Sequence, residues 1–146
     1  MRRVLKQRAE RRQLMAVETE VLEELHRLRA RVPGLTGALA ATSDGLVLAQ
    51  DAAPVEAEPV AALTAAALGV GQRLTEATAR GAFRELLVQG EEGCVATYAA
   101  GATAVLTVLA GPDTSVGRLH LEARRASAHI GDLVDRALAR PDHARS

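Results

Sequence analysis

The sequence predicts an α+β domain: a five-stranded antiparallel sheet sandwiched by helices, in the element order αββαβββα. Three observations carry that prediction. Apolar or small residues recur at helical spacing in three separated segments. Five short apolar runs lie between them, bounded by Gly, Pro and Asp turn residues. The connections within each group of runs are so short that antiparallel neighbours are the natural solution.

The first helix is expected from about Ala16 to Val32. Val21, Leu25, Leu28 and Val32 share one face, glutamates gather early and arginines late, as the helix dipole favours, and Pro33-Gly34 stops it. Leu35 to Thr42 and Leu46 to Gln50 are two strands joined by Ser43-Asp44-Gly45, an Asp-Gly hairpin turn. Gly37, Ala38, Ala40 and Ala41 keep the first strand slim, so another element packs close against it. Asp51 to Glu58 reads as a loop.

A second helix runs from about Pro59 to Arg80, and it is the most informative segment. No residue between Glu58 and Arg73 is charged. Leu63, Val70 and Leu74 form one apolar line, while Ala62, Ala65, Ala66 and Gly69 form a surface of very small residues. A helix at the surface should carry a polar face, whereas one apolar or small all round is covered on more than one side. In a chain this short, one side meets the sheet and the economical cover for the other is a second copy of the protein.

Phe83 to Gln89, Cys94 to Ala99 and Thr103 to Leu109 read as three consecutive strands, turned by Gly90-Glu91-Glu92-Gly93 and Ala100-Gly101-Ala102. Asp113 or Thr114 caps a last helix, whose stripe of Val116, Leu119, Ala123, Ala126, Ile130, Leu133 and Ala137 repeats every three or four residues.

Composition bounds the function. The chain has 146 residues, no net charge, 48% hydrophobic residues and 25% charged, which suits one domain that folds without a metal or disulfide staple. Cys94 alone makes no intrachain disulfide and no cysteine zinc cluster. Phe83 and Tyr98 are the only aromatics, too few for a platform that stacks single-stranded nucleic acid. No apolar run approaches the roughly 18 residues of a membrane span. A cytoplasmic protein is expected, reaching membranes only through its partners. Six basic residues, Arg2, Arg3, Lys6, Arg8, Arg11 and Arg12, oppose Glu10 alone in the first 14 positions, leaving +5 there and −5 in the remainder. The expected organisation is a basic extension over 1–15, the domain over 16–140 and a disordered tail over 141–146. The extension is read as an irregular or helical projection from the dimer, weakly attracted to anionic surfaces.

Candidate chemistry is sparse. Gly69-Val70-Gly71 begins like a dinucleotide fingerprint, but Leu74 stands where its last glycine belongs and the string lies within a helix. There is no Gly-Lys-Ser/Thr phosphate loop, so the chain is not itself a GTPase. His26, His120, His129 and His143 read as exposed helix histidines. His120 and His129, nine residues apart, point to opposite faces and share no metal. Ser43-Asp44 is explained by its turn, and no histidine nearby completes a triad. Cys94 reads as a small buried hydrophobe. Glu91 and Glu92 form a polar turn tip that also suits contact with a basic partner. No catalytic residue, cofactor or metal is expected.

The element order, together with Val32-Pro33-Gly34-Leu35-Thr36-Gly37-Ala38 leading into Ser43-Asp44-Gly45-Leu46, resembles the Roadblock/dynein light chain family, and its bacterial branch in particular. Glu85 through Gly93 is similar to the family's third strand and turn, and Val116 through Ala126 to its last-helix signature. The resemblance extends from about Val17 to Leu138. It implies the roadblock/profilin-like fold and non-enzymatic homodimers or heterodimers that pair through the central helix and the edge strand after it, making one continuous sheet. Bacterial members work beside a small Ras-like GTPase. The relative from gliding bacteria binds its GTPase as a dimer and stimulates hydrolysis without an arginine finger, and similar actinobacterial proteins accompany a sensor kinase. Carried onto this chain, the self-pairing surface comprises Leu63, Ala66, Val70 and Leu74, with Phe83, Glu85 and Leu87. Cys94 and Tyr98 depart from the pattern, standing where relatives are often polar or basic.

The expected function is therefore a dimeric, non-enzymatic regulator that docks on a small Ras-like GTPase and modulates its GTP hydrolysis. Two alternatives stand beside it. A small-molecule sensor of the PAS or GAF kind would need a pocket of several hundred cubic ångströms with convergent polar groups. A passive scaffold would assemble a sensor-kinase complex without altering GTP turnover.

Overall fold

Pro33-Gly34 and Ser43-Asp44-Gly45 punctuate the chain as expected, and the strand between them spans Leu35–Thr42. The computed structural model describes residues 2–51 and 56–139; the middle of the expected loop, with Pro54, and the tail from Pro141 lie outside them. In chain order the elements are α1 (Arg2–Met15), α2 (Glu18–Arg31), β1 (Leu35–Thr42), β2 (Val47–Asp51), α3 (Ala57–Ala77), β3 (Glu85–Gly90), β4 (Gly93–Ala100), β5 (Ala104–Ala110) and α4 (Val116–Ala139). The five strands form one antiparallel sheet in the order β2-β1-β5-β4-β3. Hairpins link β1 to β2 and run through β3, β4 and β5, so β5 closes on β1 and leaves β2 and β3 at the edges.

The sheet separates two layers of unequal weight. On one face, α2 and α4 bury Val21, Leu25, Leu28, Leu119, Ala123, Ile130 and Val134 against Ala38, Ala40, Ala96, Tyr98, Leu106 and Val108. On the other, α3 lays Ala61 on Leu39, Ala41 and Val105. Interior strand β1, between β2 and β5, is thus covered on both faces, which accounts for its run of small residues. The α2–α4 layer also holds a buried polar tie: Glu24 accepts from Arg27 Nε at 3.1 Å and lies 2.9 Å from His129 Nδ1. A buried carboxylate needs such partners.

Several boundaries differ from the sequence reading, each for a local reason. The basic extension takes the helical form of the two expected, and α1 ends two residues before α2, where Val17 N–H donates to Leu14 O at 3.1 Å. Leu46 belongs to the hairpin turn, because its N–H donates to the Thr42 hydroxyl at 3.0 Å. Helix α3 starts at Ala57, placing Pro59 in the first turn, where no intrahelical donor is lost. It ends at Ala77 because Ala79 turns left-handed, at φ 55°. The strand after it begins at Glu85, two residues later than the pattern suggests.

His26 and His129 are exposed on their helices as expected, and His120, half-buried, is the correction. His120 lies 2.8 Å through Nδ1 from the Tyr98 hydroxyl and meets that ring edge-on, while His129 holds Glu24. Both tie α4 to its neighbours, His129 while remaining exposed; His26 is exposed beside Asp51. His143 lies outside the described residues. Cys94 and Tyr98 are both buried in the core beneath α4, so the departure from the family pattern falls in the interior and not on a docking surface.

Candidate partner-binding surface

The outward face of α3 is built from what the helix leaves over after packing. Ala61, Thr64, Leu68 and Gly71 are buried and repeat at helical spacing. The same period turns Leu63, Val70 and Leu74 away from the sheet, where they are 70%, 58% and 57% exposed. Ala66 is exposed between them, with Ala62 and Gly69 alongside; Gly69 has open space where a side chain would stand. The stripe expected from the sequence is therefore present, contiguous and uncovered in the single chain. Exposed apolar residues scattered singly need no explanation, but a contiguous stripe does.

Strand β3 adds an open sheet edge beside it. Ala99 N–H donates to Arg84 O at 2.9 Å, and Glu85 stands opposite Tyr98. That sets the phase of the ladder: Leu86, Val88 and Gly90 bond to β4, and the backbone groups of Glu85, Leu87 and Gln89 point away from it. The side chains follow the other alternation. Leu87 packs at the border of the core under α4, and Glu85 accepts a two-pronged hydrogen bond from Arg124 of α4, with Nε 3.1 and 3.0 Å from its two carboxylate oxygens. Leu86 and Val88 share the α3 side instead, and Val88 is 55% exposed.

Glu85 and Leu87 thus offer main chain to a partner, while Leu86 and Val88 offer side chain. Sequence reasoning missed the second pair because Leu86, Leu87 and Val88 are all apolar and hide their phase. The informative signal was Glu85, whose charge directs it toward an arginine on α4.

Phe83 joins helix to strand. It is half-buried against Gly71, whose missing side chain leaves the room its ring occupies. An open groove of about 720 Å³ runs between the second half of α3 and β3, with Leu74, Phe83 and Leu86 along it. Beneath the first turn of α3, between Val60 and Thr107, the space is only about 10 Å³, well short of the several hundred a small ligand fills. Glu91 and Glu92 are exposed at the tip of the β3–β4 turn, away from the stripe.

The Arg124 guanidinium holds the Glu85 carboxyl below its ordinary value of 4.5, chiefly through the hydrogen bond, with burial opposing. A carboxylate depressed in the fold stabilises it above the unfolded-state value, and that stabilisation disappears as pH falls through the folded value. Glu85→Gln is therefore expected to flatten the acid limb of the stability curve below about pH 4.5 and to lower stability at neutral pH, read by chemical denaturation across pH. An unchanged acid limb contradicts this role.

The fold and the uncovered surface define a class: a three-layer domain with an apolar helix face and a free strand edge on one flank. The chain belongs to the Roadblock/LC7 domain family, whose model matches residues 21–110. It is 31% identical over 101 residues to the uncharacterized protein MJ1340 of Methanocaldococcus jannaschii, covering 68% of this chain and 88% of that protein. Among solved structures it resembles a Roadblock/LC7 domain from Streptomyces avermitilis, with TM-score 0.73 and 24% identity over 78% of this chain and 97% of the other. It also resembles the gliding protein MglB from Thermus thermophilus, with TM-score 0.71 and 26% identity over 84% and 92%. Among the described residues, no helix is long and apolar enough to cross a membrane.

Proposed function

We propose that the protein is a homodimeric, non-enzymatic regulator that docks on a small Ras-like GTPase and changes its GTP hydrolysis. The observation that carries the proposal is the uncovered α3 stripe lying beside the open edge of β3.

A two-fold axis that pairs β3 with its own copy in antiparallel fashion stands perpendicular to the sheet. Like faces then stay on like sides, and the two α3 helices meet across the axis while the edges join. Burying Leu63, Val70 and Leu74 from both copies contributes roughly 1–2 kcal/mol per side chain, given that each is already partly covered. The main-chain bonds at the joined edge also remove a liability, since an open edge invites uncontrolled pairing. Ala62, Ala66 and Gly69 let the helices approach closely.

The GTPase partner follows from likeness to bacterial Roadblock proteins, MglB among them. The exposed Glu91-Glu92 tip offers a negative contact for a basic partner surface. A cytoplasmic site of action fits this partner.

Mixing the purified protein with the small Ras-like GTPases of its own organism tests the reading. A complex by light scattering together with altered GTP turnover supports it. A complex with unchanged turnover selects the scaffold reading, and no complex removes the regulatory one.

A further inference from the structure

The function proposed above makes no use of α1. Its docked side includes Glu10, Gln13 and Leu14, spaced to lie against the α4 layer, and Leu14 is buried there with Val17 of the link to α2. Residues 2–8 are all exposed, so the first two turns project beyond the domain by roughly 10 Å. Those turns carry Arg2, Arg3, Lys6 and Arg8, and Arg11 follows on the outer side. None of these five has an ion-pair partner among the described residues. Val4 and Leu5 stand exposed among them, and Met15 lies on the same helical line as Val4.

We infer that α1 is a direct docking element for an anionic lipid bilayer. Cations alone suit any polyanion, but Val4 and Leu5 suit a bilayer in particular. Short apolar side chains enter the headgroup boundary while the arginines beside them reach up to phosphates. The rest of the chain carries −5 against the +5 of the first 14 residues, so an anionic surface attracts one end of the molecule and repels the remainder. That polarity orients the protein on a membrane and opposes wrapping by a nucleic acid.

The dimer deepens the inference, and this part rests on the pairing proposed above. Helix α1 packs in the α2–α4 layer, opposite α3. With the two-fold axis perpendicular to the sheet, both α1 helices project from the same face. One basic arm holds a membrane weakly, and two on one face bind together with the gain of an intramolecular second contact.

The test is partition of the full-length protein onto phosphatidylglycerol/phosphatidylcholine vesicles and onto pure phosphatidylcholine vesicles, with light scattering of the same samples. Binding is expected only to the anionic vesicles and is expected to vanish in high salt. Replacing Arg2, Arg3 and Lys6 by Gln should weaken it roughly a hundredfold, at about fivefold per cation. V4Q with L5Q should weaken vesicle binding severalfold with every charge kept. Equal partition of the charge variant, or no binding to anionic vesicles, overturns the inference. So does binding to duplex DNA that survives V4Q/L5Q when vesicle binding is absent, which would mark α1 as a nucleic-acid arm. A monomeric protein that still binds vesicles through α1 removes the pairing and leaves the lipid contact standing. A dimer that ignores vesicles removes the lipid contact alone.

Discussion

Val70→Asp is expected to convert the proposed dimer to monomers while leaving the fold intact. Val70 sits mid-stripe, 58% exposed in the single chain, so an aspartate there meets water in the monomer and costs the fold little. Across a two-fold axis the same change acts twice. Two carboxylates would be brought together in an apolar seam, each losing hydration and each repelling the other. Together with the lost burial of two valines, this amounts to at least about 4 kcal/mol, or roughly a thousandfold in dimer dissociation constant. Light scattering and sedimentation at micromolar concentration read the result. Leu121→Asp supplies the control: Leu121 is also exposed, but it belongs to α4 on the opposite layer, and its replacement should leave the association state unchanged. A Val70→Asp protein that remains dimeric places the seam elsewhere.

Tyr98→Ala has the largest expected effect on stability. Tyr98 is 1% exposed and is the largest of the fully buried side chains, set in β4 beneath α4 with its hydroxyl on His120. Burial holds its phenol well above the ordinary value, so it remains protonated at neutral pH. Truncation removes the ring from water-free surroundings and leaves a cavity, at about 3–5 kcal/mol. Tyr98→Phe keeps the ring and removes only the hydrogen bond, at about 1 kcal/mol. Denaturant titration at one fixed protomer concentration separates the two, since the proposed dimerisation makes apparent stability concentration-dependent. Equal losses for both variants would mean that the hydroxyl, and not the packing of the ring, is what β4 needs.

Much of the fold was legible because the punctuation is strong. Pro33-Gly34 and the Asp44-Gly45 turn bracket β1 so tightly that its limits could be read directly. The uncharged length of α3 announced two covered sides, and the structure leaves one of them bare in the single chain. What stayed hidden depends on phase and on distance. Nothing local distinguishes Leu86 from Leu87; only the Arg124 partner of Glu85, far along the chain, sets which one faces α3. The partners of His120 and His129 are long-range for the same reason: a histidine at a polar helix position reads as solvated until the sheet or another helix arrives beside it. Helix α1 was ambiguous because arginine is a good helix former whether or not anything packs against it.

The lodging of Phe83 in the notch at Gly71 couples the two halves of the proposed seam. Because the ring ties the second half of α3 to the approach of β3, the helix stripe and the strand edge are held in fixed relation before any encounter. Little ordering entropy is then left to lose when two subunits meet. Recognition proceeds by rigid docking, with its speed governed by orientation and not by a slow rearrangement.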